Sequence, residues 1–274
     1  MAITQIDKAL KFQELHKRAG AFFVPNPWDA GSARVLTGLG FEAFATSSSA
    51  SAAVFGRRDG RLSREQALRQ AQMIAEATDL PVSADLEAGF SKSPESVAET
   101  IRLAAEAGLV GGSIEDFNGD PANPLYEIGL ATERVAAAVA AVKALPFPFT
   151  LTARAENFVR GRPDLDETIR RLLAYEQAGA DVLFAPALPD LAAVRAVCSA
   201  VSKPVNFMVG VRGKSFTAAE LVEAGVKRIS FASSLYRAAI TGLVQAATEV
   251  RQTGTFSFLE KTLSSAELYN FFPE

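Results

Sequence analysis

LPVSADLEAGFSKSPESVAETIRLAAEAGLVGGSIEDF, residues 80–117, holds the repeating unit of the fold. PVSADLE (81–87) is a short apolar run of β type. Residues 95–107 follow with Ala- and Leu-rich helical spacing, and Ser93 is placed to cap them. Ala107-Gly108 is a helix stop, because glycine takes the left-handed conformation at little cost. GGSIEDF (111–117) then reads as a second strand. A strand, a helix and a strand with short joints make a parallel crossover unit.

Outward from this unit the pattern recurs. Further β-type runs are AFFVPNPW (21–28), FEAFATSS (41–48), FTLTARAE (149–156), DVLFAPAL (181–188), PVNFMVG (204–210) and RISFASS (228–234). Helical patterns occupy 30–39, 64–78, 132–145, 165–178, 190–201, 217–224 and 235–252. Ser63, Asp164 and Thr217 are further N-cap candidates, and Ala178-Gly179 and Ala224-Gly225 repeat the stop signal. Eight strand–helix units in sequence predict a closed α/β (β/α)8 TIM barrel over residues 1–274. The rival, an open doubly wound sheet, calls for a Gly-x-Gly turn after the first strand, and Asn26-Pro27-Trp28-Asp29-Ala30-Gly31 stands there instead. Two pieces lie outside the units. A helix around 7–19 is expected to plug the barrel bottom. The apolar extension 254–274, with Phe256, Phe258, Leu259, Leu263, Leu268, Phe271 and Phe272, is expected to pack against another subunit.

Composition narrows the function. A net charge of −3 and a pI near 5.5 give no basic face for nucleic acid. No run approaches the roughly 18–20 apolar residues of a membrane span, and the charged N-terminus is not a secretory signal. A soluble, cytoplasmic protein is expected, consistent with a single cysteine, Cys198, read as a packing residue. The sole histidine, His16, falls in the first helix, away from any site at the strand ends, so a histidine base is not expected. No lysine ends a strand, which argues against Schiff-base chemistry.

In this fold the chemistry sits at the C-terminal strand ends. Asp85 and Glu87 are two residues apart and share a face of the third strand, and Glu115 ends the fourth. Three converging carboxylates repel one another unless a cation offsets them. Oxygen donors without Cys or His suit Mg²⁺ or Mn²⁺, whereas the bland alternative is ion pairing with loop Arg or Lys. Arg154 ends the fifth strand and can grip a substrate carboxylate, or form a structural salt bridge to Glu115 or Glu156. Ser47, Ser48 and Ser49 offer accessible backbone N–H groups to an oxyanion, or make an ordinary polar turn. Asp59 lies in the long connection Ser49–Ser63, read as a lid or as a solvated turn on Asp59-Gly60. GVRGKS (210–215) occupies a common phosphate position but lacks a full nucleotide-binding pattern.

Several stretches carry a resemblance: NPWDAGSARVLTGLGFEAFATSSSASAA (26–53), LPVSADLEAGF (80–90), GGSIEDF (111–117), TARAEN (152–157), AYEQAGADVLFAPAL (174–188) and AGVKRISFASSLYRAA (224–239). In them the chain resembles the isocitrate lyase/phosphoenolpyruvate mutase superfamily, on its phosphoenolpyruvate mutase-like branch. The resemblance implies a Mg²⁺ site with Asp85 as direct ligand and Glu87 and Glu115 acting through the metal's waters. It also implies substrate oxyanion contacts from the amides of Ser47 and Ser48, a substrate carboxylate on Arg154, and Asp59 on a gating loop. It further implies a last barrel helix exchanged between subunits, in homodimers or homotetramers.

The chain departs from the superfamily's tricarboxylate lyases. Their Lys-Lys-Cys-Gly-His loop is replaced by Asn118-Gly119-Asp120-Pro121-Ala122-Asn123-Pro124, so efficient cleavage of isocitrate or methylisocitrate is not expected. Phe231-Ala232-Ser233-Ser234 also lacks the histidine that some decarboxylases carry near the eighth strand. The expectation is a Mg²⁺-dependent carbon–carbon lyase acting on a small 2-oxo or 2-hydroxy dicarboxylate, of the oxaloacetate decarboxylase type. The alternatives are a P–C bond enzyme on phosphonopyruvate and a non-catalytic 2-oxo acid binding protein.

Overall fold

The computed structural model describes residues 3–213 and 216–272. Eight parallel strands run in chain order: β1 (Phe22–Val24), β2 (Phe44–Ala45), β3 (Val82–Asp85), β4 (Gly111–Glu115), β5 (Thr150–Arg154), β6 (Val182–Phe184), β7 (Val205–Met208) and β8 (Arg228–Ser230). The helices are α1 (Gln5–Lys17), α2 (Ala30–Gly38), α3 (Ser48–Val54), α4 (Arg64–Glu76), α5 (Pro94–Glu106), α6 (Ile128–Lys143), α7 (Leu165–Ala178), α8 (Leu191–Ala200), α9 (Ala218–Glu223), α10 (Ser234–Thr253) and α11 (Ser265–Tyr269). The sheet order β1-β8-β7-β6-β5-β4-β3-β2 rolls into a barrel, as the repeating units predict. The seam between β1 and β2 has no ladder. It is bridged where Ala45 N–H donates to the Pro25 carbonyl at 3.2 Å and Asn26 Nδ2 donates to the Thr46 carbonyl at 2.9 Å.

Sequence chemistry accounts for the joints. The side chains of Ser63, Ser93, Asp164 and Thr217 accept from backbone N–H groups in the first turns of α4, α5, α7 and α9. Gly225, at φ +96°, closes α9, and a Cβ there would come within 2.9 Å of the Cys198 Cβ. The close approach explains both the glycine and the packing role of Cys198. Two layers of apolar contact follow. Outward-facing strand residues such as Val82, Ala84 and Leu86 pack against the helices. A second cluster, Ala9, Phe12, Leu15, Phe22, Val24, Ala43 and Val110, joins α1 to the lower ends of the strands. The plug is therefore present. It is also tied in by polar bonds, since Lys8 Nζ donates to the Ala75 and Thr78 carbonyls and Gln5 Nε2 to those of Ala105 and Leu109.

One feature departs from the sequence reading. The connection Ser49–Ser63 is not one long loop, because α3 begins inside the serine run. Ser47 is its N-cap, three alanines favour it, and Gly56 at φ +65° ends the segment. The exposed loop left to carry Asp59 is therefore short. The C-terminal region runs from α10 through a 3-10 turn (Ser257–Lys261) to α11, and no residue of these three elements is buried.

Candidate active site

Strand alternation sends one residue in two into the barrel. Ser83 and Asp85 on β3, Ser113 on β4, Arg154 on β5, Asn206 and Met208 on β7, and Arg228 and Ser230 on β8 line one cavity of about 300 Å³. Asn26, Ser47, Ser48, Asp59, Glu156 and Arg160 complete its upper wall. This is the C-terminal end of the strands, where the sequence reading looked.

The register fixes which charges meet. Glu115 pairs with Arg154 and Asp85 with Ser113 across the sheet. Arg154 is consequently ringed by acids: its Nη1 lies 3.4 Å from Asp85 Oδ1, its Nη2 3.2 Å from Glu115 Oε2, and its Nε 2.5 Å from Glu156 Oε1. Burial alone would lower its pKa, but Glu156, Glu115 and Asp85 reverse that and hold the guanidinium charged. Glu115 is fully enclosed. Burial, then Glu156, push its carboxyl up against the pull of Arg154, Asp85 adds to the push, and Arg160 opposes it. Arg160, which the sequence reading did not single out, donates to Glu115 Oε1 at 3.2 Å and Glu156 Oε2 at 2.8 Å. Its guanidinium also covers the Phe117 ring at 3.7 Å. The i,i+4 spacing of Glu156 and Arg160 was the available signal.

Asp85 is held from two sides. Ser48 N–H donates to its Oδ2 and Glu87 N–H to its Oδ1, both at 3.2 Å. The Ser48 amide, expected to meet a substrate oxyanion, thus orients Asp85 here. Ser47 is buried and lines the cavity beside it. Glu87 takes a left-handed φ of 48°, strained for a residue with a Cβ. Burial, then Asp85 and Asp59, raise its pKa to about 7. Asp59 is exposed at the cavity rim, its Oδ1 accepting from Gly60 N–H at 3.1 Å. Among the described residues, no three His, Cys, Asp or Glu side chains form a cage for a metal ion. The donors nonetheless fit a hard divalent cation. They are carboxylate oxygens, they repel one another at Glu87, and Mg²⁺ keeps most of its waters when one or two carboxylates hold it.

The strand-four acids divide their labour. Asp116 turns away from the cavity: its Oδ2 accepts from Tyr175 Oη at 2.6 Å and Arg171 Nη1 at 3.1 Å, and its Oδ1 accepts from Glu156 N–H at 2.9 Å. Burial, followed by Asp116, drives the Tyr175 phenol well above its ordinary pKa, so it stays a donor. This buried triad fixes the backbone that presents Glu156. The loop after β4 closes on itself, with Asn118 N–H donating to the Pro124 carbonyl at 2.8 Å and Asp120 N–H to Asn118 Oδ1 at 2.8 Å. Gly210 lines the cavity, whereas Lys214 and Ser215 of GVRGKS lie outside the described residues.

Comparison with known proteins agrees with this architecture. The sequence profile of the phosphoenolpyruvate phosphomutase family matches residues 12–251. A crystal structure from Burkholderia cenocepacia J2315, provisionally assigned as a lyase/mutase, superposes with a TM-score of 0.96 at 50% identity, covering 98% of this chain and 97% of that one. An uncharacterised protein of Mycobacterium tuberculosis is 32% identical over 94% of this chain and 95% of its own length. The 2-methylisocitrate lyase of Escherichia coli is 32% identical over 75% of this chain and 71% of its own.

Proposed function

Since the chain belongs to the phosphoenolpyruvate phosphomutase family, we propose that it is a Mg²⁺-dependent lyase that breaks a carbon–carbon bond in a small 2-oxo or 2-hydroxy dicarboxylate. One observation carries this reading. At the cavity mouth burial, then Asp85 and Asp59, still push the Glu87 carboxyl up to about 7 against the pull of Arg154 and Arg160, and Asp85 itself pairs with the permanently charged Arg154 at 3.4 Å. A cation and an anionic substrate together complete that arrangement.

Asp85 would hold Mg²⁺ or Mn²⁺ directly, and Glu87 and Glu115 would support it through the cation's waters. When bound, the cation supplies Lewis-acid stabilisation to a developing oxyanion. The protein's own residues do the rest. In a decarboxylation of the oxaloacetate type the bond between C3 and its carboxylate breaks, and CO₂ leaves. The electron pair moves into the 2-oxo group as an enolate, and a proton from solvent restores pyruvate. Arg154 orients the 2-oxo acid carboxylate and offsets the charge, fixed in place by Glu115 and Glu156. Ser47 and Ser48 wall the oxyanion side, and Asp59 sits where closure would exclude water. The closed loop 118–124 supplies neither cysteine nor histidine, which favours a reaction that needs no thiol or imidazole acid there. A second copy of the chain covers α10 and the extension 254–272, giving a homodimer or homotetramer.

The test is pyruvate release from a panel of four- and five-carbon 2-oxo and 2-hydroxy dicarboxylates with Mg²⁺ or Mn²⁺. Turnover is expected with one of them. Arg154→Lys should lower kcat/KM by about 10²–10³-fold, and Asp85→Asn should weaken Mg²⁺ binding and abolish the activity with it. Phosphoenolpyruvate or phosphate from phosphonopyruvate instead would assign P–C chemistry. Oxalate binding without turnover of any substrate would make the protein a 2-oxo acid binder.

A further inference from the structure

Val, Ile and Leu ordinarily fill the interior of an eight-stranded barrel. Here the inward positions below Asp85 and Arg154 are Ser83, Ser113, Thr152, Asn206 and Arg228. Arg228 opens β8 and is only 6% exposed, yet it reaches the cavity floor. Its Nε donates to Asn206 Oδ1 at 2.8 Å and its Nη2 to Thr152 Oγ1 at 3.0 Å. Asn206 Nδ2 donates in turn to Ser230 Oγ at 3.0 Å, which fixes the amide and hence the guanidinium. Both acceptors are neutral. Burial shifts Arg228 down to about 9, and among the described residues no carboxylate opposes it. The contrast with Arg154, held by three carboxylates, is direct.

A buried cation without a counter-charge costs several kcal/mol, and folds retain one where an anion comes to it. The anion must enter from above, because α1 closes the barrel below. The required length follows from the strands. Thr152 lies two residues below Arg154 on β5, a rise of about 6–7 Å. An anionic group on Arg228 therefore sits one short carbon chain deeper than the group beside Arg154.

We infer that Arg228 anchors a second anionic group of the substrate, a carboxylate or a phosphonate at the end away from the 2-oxo acid. The inference deepens the reading above and rests on it for the orientation of the substrate. It names Arg228 as the residue that distinguishes dianionic substrates from pyruvate-sized monoacids. Two of the five guanidinium N–H donors are used by Asn206 and Thr152, so others remain for a bidentate ligand.

Calorimetric titration in Mg²⁺ tests this with oxalate, pyruvate, 2-hydroxysuccinate and phosphonoacetate as probes. Arg228→Met should weaken whichever longer dianion binds by about 10- to 100-fold, and leave oxalate and pyruvate within about twofold. Arg228→Lys should retain part of the affinity. Asn206→Asp keeps the arginine and gives it an internal counter-charge, so it should also weaken the longer dianions. This second route holds even if Arg228→Met folds poorly. The larger loss, on 2-hydroxysuccinate or on phosphonoacetate, identifies the group. The inference is overturned if oxalate is lost as severely as the longer dianions. It is equally overturned if no longer dianion shows binding that depends on residue 228, including the case where none binds. Failure of the lyase reading looks different: dianion binding through Arg228 persists while no substrate turns over.

Discussion

His16 spends its imidazole as an apolar wedge under the barrel. Its Nδ1 lies 2.7 Å from the Phe12 carbonyl, its Nε2 is buried without a partner, and the Phe12 and Phe22 rings meet it edge-on at 4.8 Å. Burial, then the charge on Arg228, lower its pKa from 6.5 to about 3. The unfolded chain therefore takes up a proton near pH 6.5 that the folded chain refuses until about pH 3. Stability on this account is full above pH 6.5 and declines as pH falls through that window, by about 1.4 kcal/mol per pH unit. Urea unfolding of wild type and His16→Met at pH 6.5 and 4.5 measures it. The wild type should lose about 2–3 kcal/mol more than the variant; equal losses would show that His16 is not held neutral. Legibility differed among residues for a physical reason. Asp85, Glu115 and Arg154 stand on regular strands, so alternation and strand order bring them to one mouth. Arg160 comes from an irregular loop. Arg228 begins its strand at the far end, and only its long side chain lifts it to the cavity floor, which no periodicity reports.

Among the elements, the turn after β3 depends on a side chain from α6. Arg134 is 1% exposed and donates to the carbonyls of Ser91 at 2.8 Å, Lys92 at 2.5 Å and Ala88, with its guanidinium over the Tyr126 ring at 4.4 Å. Within that turn Glu87, Gly89 and Phe90 all have positive φ. One arginine thus caps a strained segment that presents a carboxylate to the site. Arg134→Met should cost about 1–3 kcal/mol, because it leaves three part-buried carbonyls without their charged donor. Amide exchange in residues 88–92 should rise well beyond the global loss of stability. If those amides exchange only in proportion to the global change, Arg134 is a core residue and not a brace. The helix pattern 132–145 was readable from its alanines and valines. The brace was not, because a helical arginine ordinarily reads as a solvated face. For the same reason α3 escaped notice: its seven residues are shorter than one window of helical periodicity.

For the molecule as a whole, α10 poses the question of what lies outside one chain. Its 20 residues span about 30 Å, and none is buried. Ile240, Leu243 and Val244 fall at i, i+3 and i+4 and form one apolar stripe, with Leu243 62% and Val244 57% exposed. Phe256, Leu259 and Leu263 continue the exposed apolar surface into the extension, and Phe271 returns to the barrel, against Gly38 of α2. The eight-unit repeat made the barrel legible, and the apolar tail hinted at a partner, but the length of the uncovered helix emerges only in three dimensions. Helices in proteins owe most of their stability to packing of an apolar face, so cover over this stripe is expected. No helix among the described residues is long and apolar enough to cross a membrane, and a second copy of the chain is the cover proposed above. Sedimentation velocity at micromolar concentration should therefore give a dimer or tetramer, with a melting temperature that rises with concentration. Leu243→Glu combined with Val244→Glu should dissociate it and lower the melting temperature by several degrees. The double variant places two charges in what would be a desolvated interface, whereas on a solvated stripe the same charges cost almost nothing. A wild type that sediments as a monomer, or a double variant with unchanged mass and stability, would mean that α10 stands in solvent unaided.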